Sequence, residues 1–327
     1  MADYKRLTGE DFDTYALRLY SNKAEYGLNS RDIAAILNSH SDIKKDESAW
    51  RKHYRSFKKG MEYQIRLGDT GVATRILSIS DCHVPFQLSL DNLKDYAGKV
   101  DILQLNGDIG DCQAISRFAK VYRKSPMEEI IETRQFLIDL IEYIRPKKVI
   151  AVYGNHDIRF QNYLAKSLDS DILELMPKTS LELIFIDGFK HYNKREKTKV
   201  EYKPLIEVFD NVKIEYADNW YCQIGDAVFC HPQAFSNGIL KTSEKAMQWF
   251  RNENMDFRTL VMAHTHRIGM YAIGNTTIYE QGAFCDVKAN NYSDGRLYNS
   301  QKEGFIYLCQ DGRGNTLNDK TKLVILN

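Results

Sequence analysis

ATRILSISDCH, residues 73–83, decides the fold class, because a short apolar run rich in branched residues ends in acidic and imidazole side chains. DILQLNGDIGD (101–111) and KKVIAVYGNHD (147–157) repeat this pattern. Each apolar run has the length and composition of a buried β-strand. Segment 126–144 carries apolar residues at helical spacing after an initial proline, which a first helical turn tolerates. Strand, helix, strand predicts an α/β sheet with helices packed on it.

The second half of the chain has a different pattern of predicted secondary structure. After residue 204 the sequence is dominated by short β-rich runs, among them DAVFC (226–230) and RTLVMA (258–263). One helix, over about 242–254, interrupts them. An α/β half followed by a largely β half predicts two sheets packed together and flanked by helices.

Residues 10–66 predict three short helices, the second with Ser30 as its N-cap. The third has an apolar stripe that includes Trp50 and Tyr54 on an otherwise basic helix. A basic third helix is typical of a helix-turn-helix module. The loop over 38–47 is longer than the 3–4 residues usual for that turn, so an interaction or packing module stays an alternative. We expect a small helical domain over 1–69 and a second domain over 70–327.

Composition excludes several classes of protein. Hydrophobic residues make up 43% and charged residues 27%, a balance that predicts a globular chain. No stretch approaches the roughly 18 apolar residues of a membrane span, and the start has no signal-peptide pattern. The missing signal-peptide pattern predicts a cytoplasmic location, and the six cysteines, which form no CxxC pair, are expected to be reduced thiols. The net charge of +1 neither favours nor excludes an acidic partner for the chain as a whole.

Five of the eight histidines and two aspartates follow apolar strands, where α/β sheets place their ligand groups. These residues are Asp81, His83, Asp108, His156, His231, His264 and His266. Mixed imidazole and carboxylate sets suit Mn, Fe, Zn or Co. Two cations about 3.5–4 Å apart need a bridging carboxylate and can activate water against a phosphate.

The motifs are DCH (81–83), GDIGD (107–111), GNHD (154–157), CH (230–231) and AHTH (263–266). Together they resemble the calcineurin-like metallophosphoesterase superfamily over about residues 74–310. The resemblance implies a four-layer α/β/β/α sandwich of two mixed sheets. GNHDIRFQNYL continues past its motif with an arginine and an amphipathic helix, as in phage and prophage members. A phage-encoded protein is expected in the host cytoplasm.

The resemblance also implies residue roles. One metal ion takes Asp81, His83 and His266, and the other takes Asn155, His231 and His264. Asp108 bridges the two ions, His156 is the general acid, and Asp111 orients His156. We expect Mn²⁺ at both positions, with Fe, Zn, Ni or Co as alternatives.

Two departures bear on the substrate. Phosphoprotein phosphatases of the family usually carry Asp-Arg in the second motif, whereas Cys112 follows Asp111 here. Their third motif ends in glutamate, and this one ends in Asp157. The missing arginine argues against a phosphoprotein phosphatase. Arg159 or Arg267 is predicted to contact the substrate phosphate instead, with a surface role as the alternative.

Three functions remain open on the sequence. The basic segments 44–66 and 190–203 favour a nuclease or other phosphodiesterase of nucleic acid. The alternatives are a phosphomonoesterase or cyclic-nucleotide phosphodiesterase with a small substrate, and a scaffold that only binds metal. Nucleic acid is therefore the expected partner, with a small phosphate ester as the alternative and no membrane. The sequence carries no signal of oligomeric state.

Overall fold

The computed structural model describes residues 4–7, 10–67, 71–117, 124–193, 197–290 and 301–326. The chain separates into two compact units, Met1–Gly71 and Val72–Asn327. We call them the helical unit and the sheet unit.

The helical unit contains α1 (Phe12–Ser21), α2 (Ser30–Ser39) and α3 (Glu47–Leu67). Its core is apolar and largely aromatic: Tyr15, Leu19, Ile33, Leu37 and Trp50 are each at most 2% exposed. The N-cap predicted at Ser30 is wrong, because the preceding asparagine accepts the backbone N–H groups of the first turn and Ser30 is already helical. The three predicted helices are confirmed.

The sheet unit has one six-stranded sheet. Its strands, in spatial order, are β13 (Lys322–Ile325), β12 (Gly304–Gln310), β1 (Thr74–Ile79), β2 (Ile102–Asn106), β3 (Lys148–Val152) and β6 (Lys213–Tyr216). Strands β1, β2, β3 and β6 are parallel to one another, whereas β12 is antiparallel to both of its neighbours, β1 and β13. The sheet is therefore mixed, as predicted.

A second mixed sheet has five strands. In spatial order they are β10 (Ile268–Ile273), β11 (Thr276–Gln281), β9 (Thr259–Met262), β8 (Ala227–Cys230) and β7 (Tyr221–Ile224). The three central strands are parallel and the two edge strands antiparallel. A separate hairpin, β4 (Phe189–Asn193) with β5 (Thr198–Tyr202), forms within the basic segment 190–203, where no strand was predicted.

Among the described residues the sheet unit contains two long helices, α4 (Pro126–Ile144) and α9 (Lys241–Asn252). The shorter helices are α5 (Arg159–Leu164), α6 (Ser170–Leu173), α7 (Ser180–Glu182), α8 (Leu205–Val208) and α10 (Val287–Asn290), and a π-helical turn spans Leu183–Asp187. The bounds of α4 match the predicted 126–144, while α9 ends two residues before the predicted 254.

Alternation along the strands divides the core into layers. Leu77 and Ile79 pack with α4 on one face of the first sheet. Ile76, on the opposite face, packs with residues of the second sheet such as Phe229. The far face of the second sheet packs against α9 through Phe250. The order helix, sheet, sheet, helix confirms the predicted four-layer architecture.

Within the described parts of the chain, no helix combines the length and the apolarity needed to cross a membrane.

Candidate metal centre

The predicted ligands converge at one edge of the two sheets. Strands β1, β2 and β3 are parallel neighbours, as are β8 and β9, so the carboxyl ends of neighbouring strands meet at the same edge. The groups that follow these strands are Asp81 and His83, Asp108 and Asp111, Asn155 and His156, His231, and His264 and His266. The aspartates, His83, His156, His231 and His266 are each at most 5% exposed.

Five of the predicted ligands have left-handed backbone conformations. The φ values are 50° for Asp81, 46° for His83, 52° for Asp108, 76° for His264 and 52° for His266. A left-handed residue turns the chain sharply after a strand and redirects its side chain. Such conformations cost about 1–3 kcal/mol each and concentrate at functional sites, and Asp and His tolerate them better than most residues.

Two glycines allow the turns to approach each other. A Cβ on Gly107, whose φ is +80°, would lie 2.7 Å from both Nδ1 of His231 and the backbone nitrogen of Gly154. A Cβ on Gly154 would collide with the Asp108 carboxylate. Glycine at both positions therefore lets the backbone reach the ligand groups.

One set of potential ligand atoms comes from Asp81, His83 and His266, all within 4.8 Å of one another. Nε2 of His266 lies 3.1 Å from Nε2 of His83 and 3.2 Å from Oδ1 of Asp81. Two nitrogens that each lie about 2.1 Å from one cation are roughly 3.0–3.4 Å apart at ordinary ligand angles. The spacing therefore fits shared coordination of one ion.

A second set comes from Asp108, His231 and His264. Nε2 of His231 lies 3.2 Å from Oδ2 of Asp108 and 3.2 Å from Oδ1 of Asn155. Nδ1 of His231 lies 2.8 Å from the carbonyl oxygen of Asn106 and donates to it. That contact orients the imidazole and leaves Nε2 for a metal.

The side chain of His264 shows that the site suits a bound cation. Its Nε2 is buried and has no hydrogen-bond partner among the described residues. Burial, followed by the nearby His231, lowers the pKa of His264 to about 3, so the ring is neutral and keeps the lone pair that a metal requires. A buried nitrogen left unpaired is costly, and a divalent ion would satisfy it.

The electrostatic field of the site also suits cations. Burial would raise the pKa of Asp108, but the charges of His231 and His156 outweigh it and hold that pKa well below its usual range. Burial lowers the pKa of His231, yet Asp108 and Asp81 outweigh it and raise the value to about 9. Both shifts show buried carboxylates that attract positive charge.

His156 lies beside the ligand sets with its ring held at both nitrogens. Nδ1 lies 2.8 Å from the carbonyl oxygen and 2.9 Å from Oδ1 of Asp111, and donates toward them. On the other side, Nη2 of Arg159 lies 2.8 Å from Nε2. Oδ1 of Asp111 also lies 3.4 Å from Nδ1 of His83. His156, His83 and Asp108 lie close enough to form a third potential ligand set.

Asp157 has a structural role that was not predicted from the sequence, where it appeared only as a departure from the family pattern. Its side chain is fully buried, and Oδ2 accepts the backbone N–H groups of Asp108 and Gly154, both at 2.8 Å. Burial and the adjacent Asp108 raise the pKa of Asp157 to about 7. The carboxylate ties the turn after β2 to the turn after β3. In the sequence, only the position of Asp157 directly after the GNH motif pointed to this role.

Arg267 has partners other than a substrate phosphate. It is 7% exposed, and its guanidinium donates to the carbonyl oxygens of Gly238 at 3.0 Å and Asn237 at 3.2 Å. The guanidinium carbon also lies 5.4 Å from the centre of the Phe235 ring. Arg159 is the predicted phosphate contact that lies at the site, and the role of Arg267 stays a prediction without support from this geometry.

Comparisons with known proteins match each of the two units separately. The family model "Calcineurin-like phosphoesterase" matches residues 74–268, and the model "YonJ N-terminal domain" matches residues 1–67. The SPbeta prophage-derived protein YonJ of Bacillus subtilis (strain 168) is 37% identical over 65 residues, which are 20% of this chain and 16% of that protein. The match thus spans about a sixth of that relative.

Solved structures are similar at low identity. A novel archaeal phosphodiesterase is 13% identical over 77% of this chain and 100% of its own, with a TM-score of 0.36. A metallophosphoesterase from Sphaerobacter thermophilus is 14% identical over 78% and 89%, with a TM-score of 0.34. Vacuolar Protein Sorting 29 from Cryptosporidium parvum is 14% identical over 77% and 96%, with a TM-score of 0.35.

Proposed function

Because the chain belongs to the calcineurin-like phosphoesterase family, it is a metal-dependent hydrolase of phosphate esters, and we propose that it cleaves phosphodiester bonds of nucleic acid in the cytoplasm. The family and the clustered His and Asp side chains support the chemistry. The basic helix α3 supports the choice of substrate.

The proposed division of ligands follows the two sets. Asp81, His83 and His266 would hold one divalent cation, and His231, His264 and Asn155 the other. Asp108 would lie between the ions, and we propose Mn²⁺ for both, with Fe, Zn, Ni or Co as alternatives. Bound cations supply Lewis acidity, which makes water a better nucleophile and offsets charge on the phosphoryl oxygens.

His156 is the proposed general acid, acting from Nε2 on the leaving oxygen. Asp111 keeps Nδ1 protonated and fixes the plane of the ring. A proton on Nε2 is incompatible with the N–H of Arg159 that points at the same atom. Arg159 must therefore turn away when His156 is protonated. Arg159 is only partly buried, but its Nη1 also donates to the carbonyl oxygen of Asp111 at 2.8 Å, so turning toward a substrate phosphate would break this hydrogen bond as well.

The observation that carries the nucleic-acid proposal is the charge on α3. Lys52, Arg55 and Lys59 are exposed and lie at i, i+3 and i+7, on one side of the helix. The neighbouring Arg51 and Lys58 are each paired with a glutamate, at 3.4 Å and 3.9 Å. Three cations along one helix face suit a phosphate backbone, where each contact releases a counterion.

The test uses the full chain with Mn²⁺ and end-labelled single-stranded, duplex and nicked DNA and RNA. The variant Asp108→Asn controls for contaminating nucleases. The triple substitution Lys52→Gln, Arg55→Gln, Lys59→Gln should weaken cleavage at low enzyme concentration by roughly tenfold or more. It should also reduce the slope of log affinity against log salt by about 2–3. Hydrolysis of a small p-nitrophenyl ester should stay unchanged.

A matched triple in the sheet unit, Lys94→Gln, Lys99→Gln, Lys320→Gln, removes the same charge from exposed positions and should change neither activity. Failure to cleave every nucleic acid while phosphomonoesters or cyclic nucleotides are hydrolysed would overturn the proposal in favour of a small substrate. Loss of small-ester hydrolysis in the α3 triple would overturn the assignment of α3 to nucleic-acid binding.

A further inference from the structure

A pocket of about 340 Å³ lies between α9 and the 232–240 loop, the segment that follows His231. Its lining is mostly apolar and includes Trp220, Phe235 and Trp249, together with Lys245. Neither the metal ligands nor the proposed acid lines it, so the mechanism above does not use this space.

Three aromatic side chains give the pocket flat walls. Trp220 and Trp249 have ring centres 5.0 Å apart at an angle of 63°. Trp220 is backed by the buried Phe250, with 5.1 Å between ring centres and 26° between planes. Trp249 is 40% exposed and Phe235 48% exposed. Such surfaces accept a planar ring better than a flexible chain, because stacking needs a face on each partner.

The pocket is structurally continuous with the metal centre. The backbone N–H of His231 donates to the carbonyl oxygen of Trp220 at 2.8 Å. The Phe235 ring centre lies 5.9 Å from that of His264, at 75°. A wall of the pocket is thus in contact with a proposed metal ligand.

The 232–240 loop is held in place at several points. Arg267 donates to the carbonyl oxygens of Asn237 and Gly238, and its guanidinium lies over the Phe235 ring. The backbone N–H of Ser236 donates to Oγ1 of Thr242 on α9, at 3.0 Å. These contacts account for the burial of Arg267 and hold the loop in place. A pre-formed wall loses little conformational freedom on binding.

We propose that this pocket binds a nucleobase of the substrate, adjacent to the phosphate that is cleaved. The inference rests on the proposed function. A base would stack on the exposed indole of Trp249, and Lys245 at the rim would attract the next phosphate along the strand. Base stacking on aromatic side chains tolerates any sequence, so the pocket would favour nucleoside esters without selecting one base strongly.

The experiment compares two diesters with the same leaving group, thymidine 5′-(4-nitrophenyl phosphate) and methyl 4-nitrophenyl phosphate. Both release p-nitrophenolate, so the ratio of their kcat/KM values isolates the nucleoside. We expect the wild-type protein with Mn²⁺ to prefer the thymidine ester by roughly tenfold or more. Trp249→Ala should lower that ratio by about tenfold, and Trp249→Phe should retain most of it.

Met270→Ala serves as a control, because Met270 is 62% exposed on β10 and outside the pocket. It should leave the ratio unchanged. Phe235→Ala, another residue of the lining, gives a second variant should Trp249→Ala fold poorly, and should also lower the ratio.

The outcomes separate the two proposals. If the wild-type protein hydrolyses both esters equally, or if Trp249→Ala and Phe235→Ala lower both rates by the same factor, the base subsite is wrong while the phosphodiesterase proposal stands. If the wild-type protein hydrolyses neither ester but does hydrolyse a phosphomonoester, the proposed function itself is wrong. A ratio lowered in both variants and retained in Trp249→Phe would support the subsite.

Discussion

In the helical unit, α1 and α2 begin at side-chain caps and enclose a small apolar core, whereas the turns of the metal centre hold left-handed residues and buried charges. Trp50 is 2% exposed and has its Nε1 paired with Oδ1 of Asn38 at 2.9 Å. At the metal centre, by contrast, buried Nε2 of His264 has no partner among the described residues. In the helical unit, the residues adopt the conformations and hydrogen bonds that they favour locally. At the metal centre, strained backbone conformations and an unpaired buried nitrogen oppose these local preferences.

This difference predicts whether a substitution mainly changes stability or activity. Regular helices with matched caps and core lower the free energy of the folded state, so their loss should reduce stability. Strained turns that gather carboxylates and imidazoles oppose folding and persist because the surrounding sheets fix them. Substitutions there should reduce activity far more than stability.

The largest expected effect is on catalysis. Removing the proposed acid with His156→Ala should lower kcat/KM by about 10²–10⁴-fold for a diester with an alkyl leaving group. The loss should be much smaller for a p-nitrophenyl ester, because p-nitrophenolate leaves without a proton. Steady-state rates of both esters measure the contrast. His191→Ala, the same substitution on β4, should change neither rate. Equal losses for both esters would show that His156 acts only through the geometry of the site.

An intermediate effect is expected on the stability of the helical unit. Trp50→Ala removes its largest buried side chain and should cost about 3–5 kcal/mol of unfolding free energy. Denaturant titration followed by far-UV circular dichroism measures the loss. Ile43→Ala, at a position 67% exposed in the same unit, should have almost no effect. Hydrolysis of a small phosphate ester by Trp50→Ala should remain within about twofold of wild type, and a parallel loss would show that the two regions are not independent.

The smallest effect is a pH dependence in the helical unit. Arg18 holds the pKa of Glu10 below its usual value through a side-chain hydrogen bond, with Nε and Oε1 at 2.8 Å. Since the folded pKa is the lower one, the ion pair stabilises the unit above the ordinary value of 4.5, and this stabilisation is lost as pH falls through the folded pKa.

Arg18→Gln should therefore lower the melting temperature at pH 7 and change it little below pH 4. Arg51→Gln breaks a more exposed pair, at 3.4 Å with side chains 46% and 31% exposed, and should have little effect at either pH. An equal drop for Arg18→Gln at both pH values would assign the effect to packing of the side chain rather than to its charge.

The fold was largely predictable because its signals are local. The bounds predicted for α4 from Pro126 and the apolar period match, and a capping box between Ser125 and Glu128 fixes its start within four residues. The β4–β5 hairpin was not predicted. Its residues are mostly exposed or half-buried, so they lack the alternation of apolar side chains that marks a strand.

By itself, the sequence determined the core strands, the long helices and the side chains that end the strands, because each is encoded by neighbours a few residues apart. It also determined the family, since the five motifs occur in order. Through the family resemblance it predicted which groups share the metal centre, whereas the geometry of that centre and the contacts outside the motifs came only from the tertiary structure. His83 and His266 meet at 3.1 Å across 183 residues of chain, and Arg267 supports the 232–240 loop. The physical reason is that such contacts depend on how the two sheets pack, which no short segment encodes.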